Sequence, residues 1–235
     1  MLQTIVEDGR QSNRTSPCDH VWFTNDAAST AMPLIKRSYA SYDAYVEHQR
    51  AKMDSLIRFG FDKGIEDRMQ NFRDRIRHAA RHLTGESVLC LGARFGEEVM
   101  VFRELGFPRS IGIDLEPGAP EDLVRPGDFH DTGFESASFD GAYSNAVDHV
   151  FDLDRFAGEV RRVLRSDGIL ILAATNVFES QGVDKHSYID HPTKFESLLW
   201  DGEEDLLCAF HDGFELVERF ESTAWSETVF VLRAR

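Results

Sequence analysis

Cysteine is scarce in this chain. Its three cysteines, Cys18, Cys90 and Cys208, lie far apart and make neither a disulfide framework nor a zinc-ligand spacing. Such usage is expected of a reducing compartment. Basic charge is also short: 26 Lys and Arg stand against 41 Asp and Glu, a formal net charge of -15. Nucleic-acid binding depends on Lys and Arg neutralising phosphates, so nucleic acid is not the expected partner. The densest basic stretch, Arg68–Arg81, is broken by Asp74 and has the spacing of a solvated helix face. Long apolar runs are missing too. No stretch approaches the roughly 18–20 apolar residues of a membrane span. Residues 1–17 lack the apolar core of a signal peptide. These shortages lead us to expect a soluble, cytoplasmic protein with no membrane partner. Nothing in them specifies an oligomeric state.

The chain does have the means to build a core. Hydrophobic residues make up 42% of its 235 positions, and 18 residues are Phe. That length suits one domain with an appended arm, and the core needs no covalent staples. Residues 1–33 are polar with little periodicity and read as a flexible arm. The expected division is therefore an N-terminal arm and helix over 1–60 and a single domain over 61–235. Helical spacing runs over Tyr39–Phe59 and again over Ile65–Leu83. From Ser87 the texture changes. Ser87–Leu91 is a short, wholly apolar run, the pattern of a strand buried on both faces of a parallel sheet. A glycine turn follows, then a helix over Glu97–Leu105 and a strand over Ser110–Asp114. Another strand is predicted over Phe139–Tyr143, an amphipathic helix over Phe151–Leu164, and a strand over Ile169–Ala173. In that helix Phe156, Val160 and Val163 should face inward and Arg155, Glu159, Arg161 and Arg162 outward. Alternating strand and helix means a parallel α/β sheet. Residues 175–193 are polar and irregular, Glu203–His211 is a short helix, and Phe214–Glu221 with Thr228–Ala234 form a closing antiparallel hairpin.

The unit VLCLGARFGEEVMVFRELGFPRSIGIDLE carries the chemistry. Gly92 and Gly96 allow a tight turn between strand and helix. Asp114 closes the next strand and can accept hydrogen bonds from ribose hydroxyls. A pyrophosphate cofactor calls for G-x-G-x-x-G and an anion-friendly helix start. Here Arg94 replaces the middle glycine, and Glu97 and Glu98 open the helix. A cationic sulfonium cofactor tolerates those acids better than NAD does. The competing possibility is a plain tight turn with no ligand.

Taken together, VLCLGARFGEE, GIDLEP, GDFHD, FDGAYSNAVDHV and VLRSDGILILA resemble, in order and spacing, the motif series of class I S-adenosylmethionine-dependent methyltransferases. The resemblance runs from about Leu83 to the C-terminus. It implies a Rossmann-like three-layer α/β sandwich with a mostly parallel seven-stranded sheet and a C-terminal antiparallel hairpin. It implies S-adenosylmethionine as cofactor, its methionine part against Gly92, Ala93, Arg94, Phe95 and Gly96. Its ribose would lie on Asp114 beside Leu115, its adenine near Asp128 and Phe129, with Asn145 close by. Two positions depart from the family pattern: Leu91 stands where an acid is common, and Arg94 where a glycine is.

By the same resemblance Asp148 and His149 face the methyl-acceptor pocket. His149 would act as base or substrate orienter, and Asp148 would orient it or bind an acceptor amine. Capping or packing against the next helix would also explain both residues. His130–Asp131 and Asp148–His149 lack the ligand spacing of a metal site, so no metal is expected. His186, Tyr188 and His191 sit in the irregular segment that covers the acceptor pocket in this fold, making them substrate candidates or solvated loop residues. Tyr39, Tyr42, Tyr45, His48 and Gln49 form a stripe on the first helix that either closes over the donor or buries that helix. The expected activity is methyl transfer to a small-molecule or sugar-type acceptor. The alternatives are an inactive nucleoside-binding or scaffold protein of the same fold, and an NAD-type oxidoreductase.

Overall fold

Apolar strands with no polar face have to be covered on both sides, and that need organises the chain. The computed structural model describes residues 34–58, 64–175, 184–222 and 227–235. The expected arm, residues 1–33, lies outside the described residues, as do residues 176–183 of the irregular segment.

The elements in chain order are β1 (Ile35–Lys36), α1 (Tyr42–Arg58), α2 (Ile65–Ala79), β2 (Val88–Leu91), α3 (Glu97–Glu104), β3 (Ile111–Asp114), β4 (Val124–Pro126) and β5 (Phe139–Ser144). They continue with α4 (Leu153–Val163), β6 (Leu164–Thr175), α5 (Lys185–Ile189), β7 (Leu198–Leu199), α6 (Glu203–Leu207), β8 (Phe214–Ser222) and β9 (Glu227–Ala234). Seven strands form the main sheet in the order β4-β3-β2-β5-β6-β9-β8. The first five run parallel, and β9 is inserted antiparallel between β6 and β8. This is the Rossmann-like architecture with a C-terminal hairpin. A separate two-stranded ladder pairs Ile35 with Leu199.

Alternation along the strands divides the core in two. Leu89 and Leu91 of β2 join the cluster under α4, with Phe156, Val160 and Phe210. Val88 and Cys90 join the opposite cluster under α2 and α3, with Phe72, Ile76, Val99 and Phe102. Cys90 is a free, fully buried thiol that behaves as a small apolar residue. Asp152 caps α4 by accepting the Arg155 N–H at 3.1 Å. Neither Asp148 nor His149 serves as that cap. The helix ends at Val163, and β6 begins at the next residue. Asp167 takes a left-handed φ of 62° inside β6, where the register with β5 shifts.

Glu159 departs from the expected outward face of α4. It is buried, and its Oε1 accepts the Thr132 N–H at 2.8 Å and the Thr132 hydroxyl at 2.6 Å. Arg162 donates to both of its oxygens at 2.7 Å. Burial raises its pKa, but these donors outweigh burial and hold it at about 2. A depressed folded pKa contributes stability above the ordinary carboxylate range and loses it as pH falls toward 2. Urea unfolding from neutral pH downward should therefore show stability falling through that window. Glu159→Gln should flatten the slope, and an unaltered slope would place the acid sensitivity elsewhere.

Candidate active site

Parallel neighbours put their carboxyl ends on one edge, and the site is built there. β2 ends into Gly92, β3 ends at Asp114, and β5 ends into Asn145. A cavity of about 410 Å³ opens over these ends, the size of a small-molecule site. Its floor is Gly92, Ala93, Arg94 and Phe95, with Asp114, Leu115, Phe129, Asn145, Ala146 and His149 around it. Tyr45, Gln49, Lys52 and Leu56 of α1 form one wall. Arg68 and Phe72 of α2 and Glu97 and Glu98 of α3 complete it.

The turn is held by backbone. Both Gly92 and Ala93 donate their N–H to the carbonyl of Ile113, at 2.9 and 3.0 Å. Gly92 and Gly96 have φ of 79° and 78°, the left-handed region that favours glycine. A Cβ on Gly92 would stand 2.8 Å from the Ala146 Cβ, and one on Gly96 would stand 2.6 Å from Leu123. At both glycines a side chain would meet the protein's own atoms. Between them, Arg94 takes a positive φ of 27°.

Asp114 is 5% exposed and turned toward this crevice. Its Oδ2 accepts the Arg94 N–H at 3.2 Å, and its Oδ1 accepts the Glu116 N–H at 2.9 Å. The Arg94 guanidinium also reaches Oδ1, at 3.3 and 3.4 Å. The acids at the start of α3 do not present two free charges. Arg68 pairs with Glu97 at 2.5 Å, and burial pushes the Glu98 carboxyl well up, toward its neutral form. A pyrophosphate would therefore meet less negative charge there than two ionised acids would present.

Asp128 is not part of the cavity lining, although its neighbour Phe129 is. The Asp128 carboxylate accepts the Tyr42 hydroxyl, and its Oδ1 lies 2.9 Å from His130 Nδ1. It fastens α1 to the body of the protein. His186, Tyr188 and His191 also lie outside the lining. Tyr188 donates to Glu196 at 3.0 Å, His191 Nδ1 lies 3.0 Å from Thr193 Oγ1, and His186 is exposed on α5. Tyr45 combines both roles foreseen for the aromatic stripe: it is fully buried, and it borders the cavity.

His149 does face the cavity, and Lys52 meets it there. Lys52 Nζ lies 2.5 Å from His149 Nε2, while His149 Nδ1 lies 2.9 Å from the Phe195 carbonyl. A carbonyl only accepts, so Nδ1 carries the ring proton and Nε2 offers its lone pair to Lys52. Burial, with the Lys52 charge, lowers the His149 pKa to about 3. Burial lowers Lys52 to about 8, against the pull of Asp148. Asp148 lies 3.7 Å from His149 Nε2, and burial raises its pKa despite Lys52. Lys52 was not singled out in the sequence. Its signal was the spacing of Tyr45, Gln49, Lys52 and Leu56, which places all four on one helical face.

Residues 89–172 match a family model described as a methyltransferase domain. Over that stretch the chain resembles a methyltransferase domain, and its fold is the Rossmann-like one of such enzymes. Among solved structures, the chain is 18% identical to a Burkholderia thailandensis 1,6-didemethyltoxoflavin-N1-methyltransferase with bound 1,6-didemethyltoxoflavin and S-adenosylhomocysteine. The match has a TM-score of 0.64 and covers 86% of this chain and 93% of that one. It is 13% identical to geranyl diphosphate C-methyltransferase from Streptomyces coelicolor A3(2), with a TM-score of 0.53, covering 68% and 76%. A Haloferax volcanii complex of the Trm112 methyltransferase activator gives 20% identity and a TM-score of 0.57, covering 77% and 96%. At these identities the likeness is one of fold. No curated protein matches the chain. Among the described residues no helix is long and apolar enough to cross a membrane. None of their His, Cys, Asp and Glu side chains form a group of three that could hold a metal.

Lys52 is the second largest cause of the low His149 pKa, after burial. Lys52→Met should therefore raise the pH at which His149 titrates, read from its ring resonances by NMR. An unchanged midpoint would mean the two side chains do not meet.

Proposed function

We propose that this methyltransferase binds S-adenosylmethionine with its ribose on Asp114 and its methionine part along Gly92–Gly96, and methylates a small-molecule or sugar-type acceptor held near His149. One observation carries this reading: the glycine turn, the Asp114 carboxylate and the Lys52–His149 pair border a single cavity. The residues fit the cofactor in kind. Asp114 is a buried carboxylate aimed into the crevice, and Leu115, Phe129 and Asn145 offer apolar and amide contacts beside it. When bound, S-adenosylmethionine supplies an electrophilic methyl group on a cationic sulfur.

The chain's own residues do the rest. Arg94 has to release Asp114 Oδ1 for ribose hydroxyls to bind, and its guanidinium is then free for the donor carboxylate. His149, its ring fixed by the Phe195 carbonyl, orients whatever reaches Lys52. Direct transfer at carbon needs the attacking atom aligned with the methyl group, so fixed walls matter more than many catalytic groups. A small acceptor is favoured by the cavity of about 410 Å³, which the donor shares. The Arg94 contact also supports a second reading, a nucleoside-binding protein of the same fold without transfer. Donor binding with no product over a broad acceptor panel would favour it.

Calorimetric titration with S-adenosylhomocysteine tests the donor site. Wild type should bind, and Asp114→Ala should weaken binding by roughly 1–3 kcal/mol through lost ribose hydrogen bonds. No binding by folded wild type defeats the proposal. Equal affinity in the variant would remove Asp114 from the site.

A further inference from the structure

Resting on the donor site proposed above, we propose that Lys52 is the proton acceptor of the transfer, that His149 is its positioning residue, and that the methyl acceptor carries a weakly acidic hydroxyl on an apolar body.

The geometry is one of directed lone pairs. His149 Nδ1 carries its proton to the Phe195 carbonyl, so Nε2 has one lone pair, and Lys52 Nζ takes it at 2.5 Å. His149 therefore has no free site for a substrate proton. Lys52 donates one N–H to His149 whether it is an ammonium or an amine. As an amine it keeps a lone pair for the cavity that both residues border. The tether to His149 fixes the direction of that lone pair.

The charges around Lys52 come from four segments. Asp148 stands on the turn after β5, Arg94 in the glycine turn, Glu196 before β7 and Asp114 at the end of β3. The three carboxylates favour the ammonium, while burial and Arg94 oppose it. Burial prevails and brings the group to about 8, where amine and ammonium are both populated near neutral pH. A bound sulfonium adds another positive charge and pushes in the same direction. A base of this strength suits a phenol- or enol-type hydroxyl. The acidity of such a hydroxyl lies nearer to that of Lys52 than an aliphatic alcohol's does, and a free amine needs no base. Leu56, Phe72 and Phe95 supply apolar lining for such a body.

The step balances. The Lys52 lone pair takes the hydroxyl proton, and the oxygen pair forms a bond to the donor's methyl carbon. The carbon–sulfur bond breaks with its electron pair on sulfur, leaving S-adenosylhomocysteine. The Lys52 ammonium then returns the proton to solvent.

The test uses the full chain and 4-nitrophenol as the probe. S-adenosylhomocysteine titration of wild type, Lys52→Met and Lys52→Arg comes first, and all three should bind within about twofold, because none of these changes touches the ribose site. The phenolate absorption band of the probe is then followed against pH on the loaded proteins. Methyl transfer to it is measured with S-adenosylmethionine. Wild type should ionise the bound probe below its solution pKa and methylate it. Lys52→Met should lose both, with transfer about two pH units below the probe's own pKa down by roughly 10²-fold. Raising the pH until the probe ionises by itself should restore transfer in Lys52→Met. Lys52→Arg, which keeps a cation but cannot accept a proton, should retain the band shift with this acidic probe and lose transfer to unsubstituted phenol, which stays protonated without a base. Intact donor binding with transfer by Lys52→Met within about threefold of wild type overturns the Lys52 role alone. Donor binding by wild type with neither a band shift nor transfer overturns the acidic-hydroxyl class. Absence of donor binding in wild type overturns the donor site itself.

Discussion

Gly92 and Ala93 both give their N–H groups to one oxygen, the carbonyl of Ile113, and the site hangs on that shared acceptor. It ties the turn after β2 to the last residues of β3. Arg94 follows Ala93, and Asp114 follows Ile113, so their side chains meet because their neighbours are fastened together. The close fit of Gly92 against Ala146 ties in the end of β5 as well. Three strand ends are thus fixed to one another at the level of backbone. Loop side chains alone would hold them less well, since each would lose rotamer freedom to do so.

The wall contributed by α1 is held differently. Tyr45 buries an aromatic ring, but polar contacts set the position of the helix. Tyr42 reaches Asp128 and lies 3.0 Å from His130 Nδ1, Gln49 donates to the Phe195 carbonyl at 2.7 Å, and Tyr39 lies 2.8 Å from Ser197 Oγ. These bonds are directional, and they keep Lys52 at one height over the cavity. Phe195 is used twice, since its carbonyl receives Gln49 and His149 together. The segment before β7 thereby orients both α1 and the imidazole.

Beneath the cavity, Arg75 is fully buried and bridges three distant elements. It donates to the Tyr143 hydroxyl at 3.0 Å, pairs with Glu227 at 2.8 Å and stacks over Phe72 at 4.9 Å. Burying an ion pair costs desolvation, so such a pair is better evidence of a specified arrangement than of added stability. Here it links α2, β5 and the C-terminal hairpin.

Much of the fold was legible along the chain. Apolar runs at Val88–Leu91 and Ile169–Ala173, the glycine turn, Asp114 and the closing hairpin all follow from local periodicity and backbone permissiveness, which neighbours in sequence decide. The short ladder of β1 and β7 was not legible, because two-residue strands carry no period. Periodicity also gave Glu159 the wrong face, since Thr132, a partner 27 positions away, joins the nearby Arg162 in holding a buried acid there. Separations of 20 and 86 positions hid the occupation of Asp114 by Arg94 and of Asp128 by Tyr42. The sequence by itself determined the parallel sheet and the glycine turn at its edge. Only the tertiary structure decided that Lys52 and His149, separated by 97 positions, would share a hydrogen bond, because a residue's period names its face and never its partner.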